Sequence, residues 1–340
     1  MSSWNQEDKE RDIVISSRVR LARNVKELPF PLLLPENRAK HLVEKMDGCL
    51  KNEEMAAHHF IKTEIADLDK INRQVLVEKH LTSPELGANK GASVFVTPQE
   101  DISIMVNEED HIRIQCIKKG FQIQAAFDQA NQIDDALEAC IGYAFHEKYG
   151  YLTSCPSNVG TGMRASVMLH LPTMTLNNQI NNMVVTMSKF GLTIRGIYGE
   201  HSQALGDLYQ ISNQNTLGVT EADTVQTLHD VSREIIKKER ELRYEILNNN
   251  RVYLEDKIYR AYGILKSART ITSEESMKLL SLVRLGSDLD LLDQRIETIN
   301  HLMTDIQPGI LTGLYGTAMD EATRDKVRAD HIREQLQEKE

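Results

Sequence analysis

Between Ala92 and Ile117 the chain reads as a series of short apolar runs. "ASVFVT", "DISIMVN" and "HIRIQCI" alternate or cluster β-branched residues between polar turns, which predicts consecutive antiparallel strands. "RASVMLHLP" and "GLTIRGIYG" predict two more. Between these groups "NQIDDALEACIGYAFHEKYG" repeats apolar residues at helical spacing and predicts a helix that stops at Gly150. Strands and helices are mixed without regular βαβ alternation, so the expected fold class is α+β, a largely antiparallel sheet flanked by helices.

The texture changes at Thr220. Strand-like runs disappear, and "VYLEDKIYRAYGILKSA" and "LDLLDQRIETINHLM" carry apolar positions three and four apart, the mark of helices. "TSEE" at Thr272 to Glu275 matches a capping box, Gly286 is expected to end that helix, and "QPG" at Gln307 to Gly309 to break the next. The chain therefore divides into a mixed domain, 11–243, and a C-terminal all-α helical domain, 244–340, beginning near the long helix around Ile235 to Leu247. No tandem repeat or low-complexity segment interrupts either.

Composition narrows the classes. With 41% hydrophobic and 26% charged residues in 340, and no apolar run near the ~18 residues of a membrane span, an ordinary globular protein is expected. The first residues, "MSSWNQEDKERD", are too polar for an export signal, which points to the cytoplasm. A net charge of -10 disfavours a wholly basic nucleic-acid surface and leaves room for a local basic patch. Cys49, Cys116, Cys140 and Cys155 are widely spaced without a Cys-x-x-Cys pair, which argues against a zinc site and a disulfide framework.

Four segments could carry chemistry. "YLTSCPSNVGTGMRASV" lacks the glycine spacing and Gly-Lys-Ser/Thr of a Walker A loop, and alone it reads as a tight turn with a buried cysteine. "ISSRVRLARN" places Arg18 and Arg20 two apart, on one face if the segment is a strand, where a phosphate would relieve their repulsion. "VNEEDHIRIQ" sets Glu108, Glu109 and Asp110 before Arg113, either a solvated turn or a base beside an anion-holding arginine. "RGIYGEHSQ" presents Arg195 and Glu200 between glycines, on a mobile loop or a hairpin turn.

In this order "SSRVRLAR", "NEEDHIRI", "CPSNVGTGMRASV" and "RGIYGE" resemble the motif series of the ATP:guanidino phosphotransferases, the phosphagen kinase family of creatine and arginine kinases, over Arg11 to Arg243. The resemblance implies a guanidino kinase fold and MgATP as phosphoryl donor. Arg18, Arg20, Arg113, Arg164 and Arg195 would surround the phosphates. Ser16, Ser17 and Val19 would border the nucleotide, as would Ala165, Ser166, Val167 and Met168, and Gly196, Ile197, Tyr198, Gly199 and Glu200. His80 of "EKHLTSP" would lie near adenine and ribose. Glu109 and Glu200 would hold the acceptor guanidinium, Glu109 as base, with Cys155 against it, acting through its charge rather than as a covalent nucleophile. No protein side chain is implied as a metal ligand.

Creatine and arginine kinases carry a helical domain before the Ser-Ser-Arg-x-Arg motif, whereas fifteen residues precede Ser16 here, so a more open acceptor side is expected. The added C-terminal region and its "RDKVRA", Arg324 to Ala329, resemble the bacterial branch of protein-arginine kinases. On a helix Arg324 and Arg328 lie one turn apart with Asp325 adjacent. The resemblance implies that Arg324, Asp325, Arg328 and Ala329 form an allosteric phosphoarginine site. The expected activity is ATP-dependent phosphorylation of arginine side chains on proteins, a mark for degradation and stress regulation. The alternatives are a kinase for free arginine or another small guanidino compound, and an inactive phosphoarginine-binding adaptor. Expected partners are protein substrates, a zinc-binding activator protein, a heat-shock repressor and a Clp protease, with no nucleic acid or membrane. The apolar stripes of the last helices suggest a homodimer.

Overall fold

Alternation along the first two-thirds of the chain resolves into one antiparallel sheet. A computed structural model of the chain describes residues 10–89, 91–196, 204–316 and 319–337. The strands are β1 (Val14–Arg23), β2 (Ile61–Glu64), β3 (Ser93–Val96), β4 (Ile102–Val106), β5 (Ile112–Lys119), β6 (Phe145–His146), β7 (Gly150–Tyr151), β8 (Met163–His170), β9 (Leu192–Gly196) and β10 (Leu208–Asn213). Among the described residues eight of them pair in the order β2-β3-β4-β5-β1-β8-β10-β9, while β6 and β7 form a separate hairpin. The helices are α1 (Glu36–Leu50), α2 (Glu53–Ala56), α3 (Lys70–Glu78), α4 (Ile123–Ile141), α5 (Pro172–Leu176), α6 (Ile180–Ser188), α7 (Glu221–Asn249), α8 (Arg251–Ser267), α9 (Ser273–Asp288), α10 (Ile296–Asp305), α11 (Pro308–Tyr315) and α12 (Glu321–Gln335). The α+β fold class and the helical C-terminal region are as expected.

The register gives the sheet two unlike faces. Side chains paired across an antiparallel ladder share a face, and neighbours along a strand alternate. Val19, Leu21, Ile114, Cys116, Ala165, Val167 and Ile211 form one face and pack with Ile133 and Leu137 of α4 and Val225 and Leu228 of α7 in the main core. The opposite face carries the arginines. A second core, built on Leu254, Ile258, Leu280, Val283, Ile299 and Ile332, joins the C-terminal helices and packs against Ile15 and Met168 at one end of that face.

Several local expectations change. The helix predicted to reach Gly150 ends at Ile141, because Gly142 turns at φ 75° and the chain re-enters as the β6-β7 hairpin, with Phe145 packed edge-on to Tyr151. Strands β2 and β10 were not predicted. Thr272 does cap α9, accepting from Glu275 N at 3.2 Å, and Gln307 and Pro308 open α11. Gly286, however, lies inside α9: a Cβ there would meet Ile258 Cγ2 at 2.5 Å, so the glycine serves close packing of α8 on α9 rather than helix termination. Cys49 and Cys140 are joined by a disulfide between α1 and α4, a correction to the reading that excluded one, since partners 91 residues apart leave no spacing signal. No helix among the described residues is long and apolar enough to cross a membrane.

Candidate active site

Five arginines from four strands meet on the face away from the main core. Arg18 and Arg20 lie two apart on β1, Arg20 is paired with Arg164 on β8, Arg113 projects from β5, and Arg195 from β9 pairs with Gln210 of β10. Burial and the charges of Arg113 and Arg164 push the Arg18 guanidinium down to about 10. Arg20 is pushed well below its ordinary value by desolvation first and then by Arg18, Arg113 and Arg164. Arg164 is lowered by burial, Arg195 and Arg113. Arg18 Nη2 donates to Gln210 Oε1 at 2.8 Å, but Arg20 Nε is buried without a partner among the described residues. So many poorly neutralised cations on one face call for an anion, and the planar donors suit phosphate oxygens.

A cavity of about 330 Å³ opens over Arg18, Arg20, Arg113 and Gln115, walled by Val77, His80 and Ser83. The wall is the C-terminal end of α3. His80 takes a left-handed conformation, φ 60°, and Leu81 N returns to Leu76 O at 2.9 Å to close the helix end. Glycine is the usual residue there, and a side chain costs about 1 kcal/mol, which points to a use for the imidazole. Burial, then Arg18 and Arg20, depress its pKa to about 4, so the ring is neutral near pH 7. Its carbonyl accepts from Gln115 Nε2 at 2.6 Å.

The acidic loop between β4 and β5 splits into three roles. Glu108 is buried and accepts from Ser83 Oγ at 2.6 Å and Arg113 Nη1 at 2.8 Å, so it aims Arg113. Glu109 is 42% exposed and takes Arg113 Nη2 at 3.1 Å. Burial raises its pKa, Arg113 opposes this, and Asp110, Glu108 and Glu85 add to the rise. Asp110 is fully buried; its Oδ1 accepts from Asn24 Nδ2 at 2.6 Å and from Ser154 N at 2.7 Å. That carboxylate ties the loop bearing Glu109 to the loop bearing Cys155.

"CPSNVGTG" is a tight turn, as its composition predicts, and it is braced on all sides. Pro156–Asn158 form one 3-10 turn, and Thr216 Oγ1 donates to Ser157 O and Val159 O at 3.0 and 2.7 Å. Gly160, φ 115°, leaves no room for a side chain: a Cβ would meet Thr216 O at 2.1 Å. Beneath it Arg23, paired with Asp134 and stacked 3.5 Å from the Tyr151 ring centroid, donates to Thr161 O. Cys155 is not buried behind the turn; it is partly exposed, with Ser157 Oγ 3.0 Å from its sulfur. Arg164 lies near enough to Cys155 and Glu109 for both to act on it electrostatically, so the arginine face adjoins these two loops.

The other expected positions divide by face. Ser166 shares the arginine face, its hydroxyl 3.5 Å from Arg18 O, and Ser16 lies on that face by register. Ser17, Val19, Ala165 and Val167 turn away from it, so they adjoin the site through the strand backbone, while Met168 packs toward the C-terminal core. Gly196 ends β9. Ile197, Tyr198, Gly199 and Glu200 lie outside the described residues. Asn24, Asp110, Gln210 and Thr216 were missed as supports; Asn24 and Asp110 stand within quoted motifs, but their use becomes visible only when the loops meet.

On α12, Arg324 Nη1 donates to Met319 O at 3.1 Å. Arg328 is 1% exposed, and its guanidinium donates to Ile306 O and Ile271 O, each at 3.0 Å, and to Asp325 Oδ1. Ala329 is buried in the second core. Among the described residues no group of three or more His, Cys, Asp or Glu is placed to hold a metal ion.

Comparison with known proteins matches both halves. Residues 41–242 match the family model "ATP:guanido phosphotransferase, C-terminal catalytic domain", and residues 251–340 match "Protein-arginine kinase McsB C-terminal domain". A protein-arginine kinase of Caldanaerobacter subterraneus subsp. tengcongensis is 46% identical over 97% of this chain and 99% of its own. One of Bacillus subtilis is 44% identical over 99% and 93%. Among solved structures, the duplicated taurocyamine kinase from Schistosoma mansoni with bound transition state analog components aligns at TM-score 0.62 and 26% identity, over 76% of this chain and 38% of that one. A lombricine kinase aligns at TM-score 0.60 and 24% identity over 68% and 67%, a likeness of fold.

Proposed function

The chain belongs to the ATP:guanido phosphotransferase family, and from that premise we propose that it is a protein-arginine kinase, moving the γ-phosphoryl group of MgATP to arginine side chains of proteins. One observation carries the reading: five arginines share a face with His80 at its wall, while Asp110 ties the Glu109 loop to the Cys155 loop beside them.

The chemistry follows from these positions. Phosphoryl transfer asks the protein mainly to align donor and acceptor and to place cations on the oxygens. Arg18, Arg20, Arg113, Arg164 and Arg195 take the phosphates, and Arg20 Nε, left unpartnered, gains an acceptor. Neutral His80 lies against the base and ribose. Ser16, Ser17, Val19, Ala165, Ser166, Val167 and Met168 border the nucleotide along β1 and β8, as do Gly196, Ile197, Tyr198, Gly199 and Glu200 after β9. Mg2+ carried by the nucleotide would offset part of the phosphate charge beside these arginines.

A guanidinium, with a pKa above ~12, attacks only when oriented and relieved of a proton. Glu109 and Glu200 hold it from two sides. As its nitrogen bonds to the γ-phosphorus, the bond to the bridging oxygen breaks, ADP departs, and the proton passes to Glu109. Cys155 faces the guanidinium and stabilises its charge. Before substrates bind, Glu109 and Arg113 neutralise one another, and the exposed carboxylate makes that pair inexpensive to part.

Protein arginine as acceptor is supported by the full-length relatives named protein-arginine kinases and by the match over 251–340. We take 11–243 as the catalytic domain and 244–340 as a regulatory one, in which Arg324, Asp325, Arg328 and Ala329 receive phosphoarginine. Arg328 must then exchange a present acceptor for the phosphoryl group. The proposed setting is cytoplasmic stress response and protein degradation, with a zinc-binding activator, a heat-shock repressor and a Clp protease as partners. Exposed Val252, Tyr253 and Tyr259 on α8 support a homodimer.

ATP turnover measured with a protein acceptor, with free arginine, and with neither tests the reading. Turnover that needs the protein, and that excess free arginine does not suppress, is expected. Turnover with free arginine alone would make the chain a small-guanidino kinase, and none with either would make it an adaptor.

A further inference from the structure

We propose that Glu78 is a positioning residue of the nucleotide cavity, through which the C-terminal helices hold that cavity in shape; the inference rests on the reading that the cavity receives ATP. Glu78 is the last residue of α3 and is buried. Its Oε1 accepts from Gly309 N at 2.9 Å and its Oε2 from Ile310 N at 2.8 Å. These are first-turn amides of α11, donors with no partner inside their own helix, and the carboxylate also meets the positive end of the helix dipole. Gln74 Nε2, one turn back on α3, donates to the same carboxylate at 2.9 Å.

The junction is built for close approach. A Cβ on Gly309 would fall 2.6 Å from Gln74 Cγ and 2.9 Å from Glu78 Oε2, and one on Gly313 would touch Val75 Cγ2 at 3.5 Å. From behind, Arg328 Nε holds Ile306 O at the corner that leads into α11. The C-terminal helices therefore grip the end of α3 through Glu78 as well as packing along its last turns.

What lies beyond that end is the cavity wall. Two residues after Glu78 comes left-handed His80, whose carbonyl meets Gln115, and Ser83 then donates to Glu108, the carboxylate that aims Arg113. Val77, His80 and Ser83 line the cavity with Arg18 and Arg20. A strained His80 keeps its conformation only while both sides of the turn are held. Glu78 holds one side, and its anchor is more than 230 residues away.

The test measures MgADP binding to the full chain by calorimetry, together with kcat and KM for ATP. Glu78→Ala is expected to weaken ADP and raise KM about tenfold. Its kcat at saturating ATP should stay within about twofold, and Glu78→Gln, which keeps one acceptor, should fall between. Gly309→Ala, which parts the helices from the C-terminal side while leaving the Glu78 carboxylate in place, should weaken ADP in the same way. If Glu78→Ala loses its cooperative unfolding transition, Gly309→Ala and Glu78→Gln decide. Wild-type protein that fails to bind MgADP overturns the nucleotide reading and this inference with it. Wild-type binding alongside folded variants of unchanged affinity, or variants that lose kcat instead, overturns this inference alone.

Discussion

Arg20 on β1 and Arg164 on β8 stand directly opposite one another in the ladder, two guanidinium groups sharing one face of one antiparallel pair. Both are lowered from their ordinary pKa, burial leading in each case, so the charged forms cost the empty fold stability. On the proposed reading, the nucleotide phosphates offset that cost. Arg164→Gln should therefore act with opposite sign in two states. Without nucleotide it should stabilise the protein by about 0.5 kcal/mol. With MgADP, the ligand-induced rise in melting temperature should largely vanish. Thermal unfolding with and without MgADP checks both; a variant less stable when empty would contradict the first.

Asp110 should matter to catalysis without touching substrate. Asp110→Ala leaves Ser154 N without its acceptor and removes one of the two acceptors of Asn24 Nδ2, which keeps Leu152 O, at a cost of about 1–3 kcal/mol. It also frees the Cys155 loop from the Glu109 loop. The expected result is a fall in kcat of about tenfold or more, with ADP affinity nearly intact. Asp110→Asn, keeping one oxygen, should recover part of kcat, measured by steady-state kinetics alongside chemical unfolding.

The thiols should separate cleanly. Cys116 is buried and burial pushes its pKa up to about 12, whereas Cys155 is partly exposed. A mild alkylating reagent on the native protein should modify Cys155 alone, abolish phosphotransfer and leave MgADP binding in place. Cys155→Ala should reproduce that pattern. Peptide mapping after alkylation identifies the site, and full activity in the alanine variant would remove the sulfur from the mechanism.

The acid limb of the pH profile should belong to Glu109. Its pKa is raised, chiefly by burial, above the ordinary glutamate value of 4.5. For an acid raised on folding, the associated stabilisation is full at low pH and is lost as pH rises through the folded pKa. Ionised Glu109 thus burdens the fold at neutral pH, a cost that a bound guanidinium would offset. Activity should fall with decreasing pH at a midpoint above 4.5. Glu109→Gln should lose activity at every pH and gain stability near neutrality, seen in kinetics and unfolding across pH.

Period and punctuation made part of this molecule legible. Alternation located β3, β4, β5, β8 and β9, and the two-residue spacing of Arg18 and Arg20 placed both on one face. β2 is a four-residue edge strand without a buried position, so alternation had little to mark. The helix expected to reach Gly150 follows an apolar spacing that continues past Ile141, while the turn at Gly142 is set by the hairpin beyond. At the site, residue types were visible but long-range closure was not. Asp110 reaches Ser154, 44 residues on, Cys49 reaches Cys140, and Glu78 meets amides of α11. Such pairings depend on how elements pack, and no local window contains both partners.

Phosphotransfer to protein arginine is read out by mass spectrometry of an arginine-containing protein acceptor after incubation with the full chain and MgATP. Handling must avoid acid, because the nitrogen-phosphorus bond is acid-labile. The expected result is a phosphoryl mass on arginine side chains of the acceptor, dependent on ATP and absent with Glu109→Gln. Phosphorylation of free arginine with none on protein, or protein phosphorylation that persists in Glu109→Gln, would contradict it.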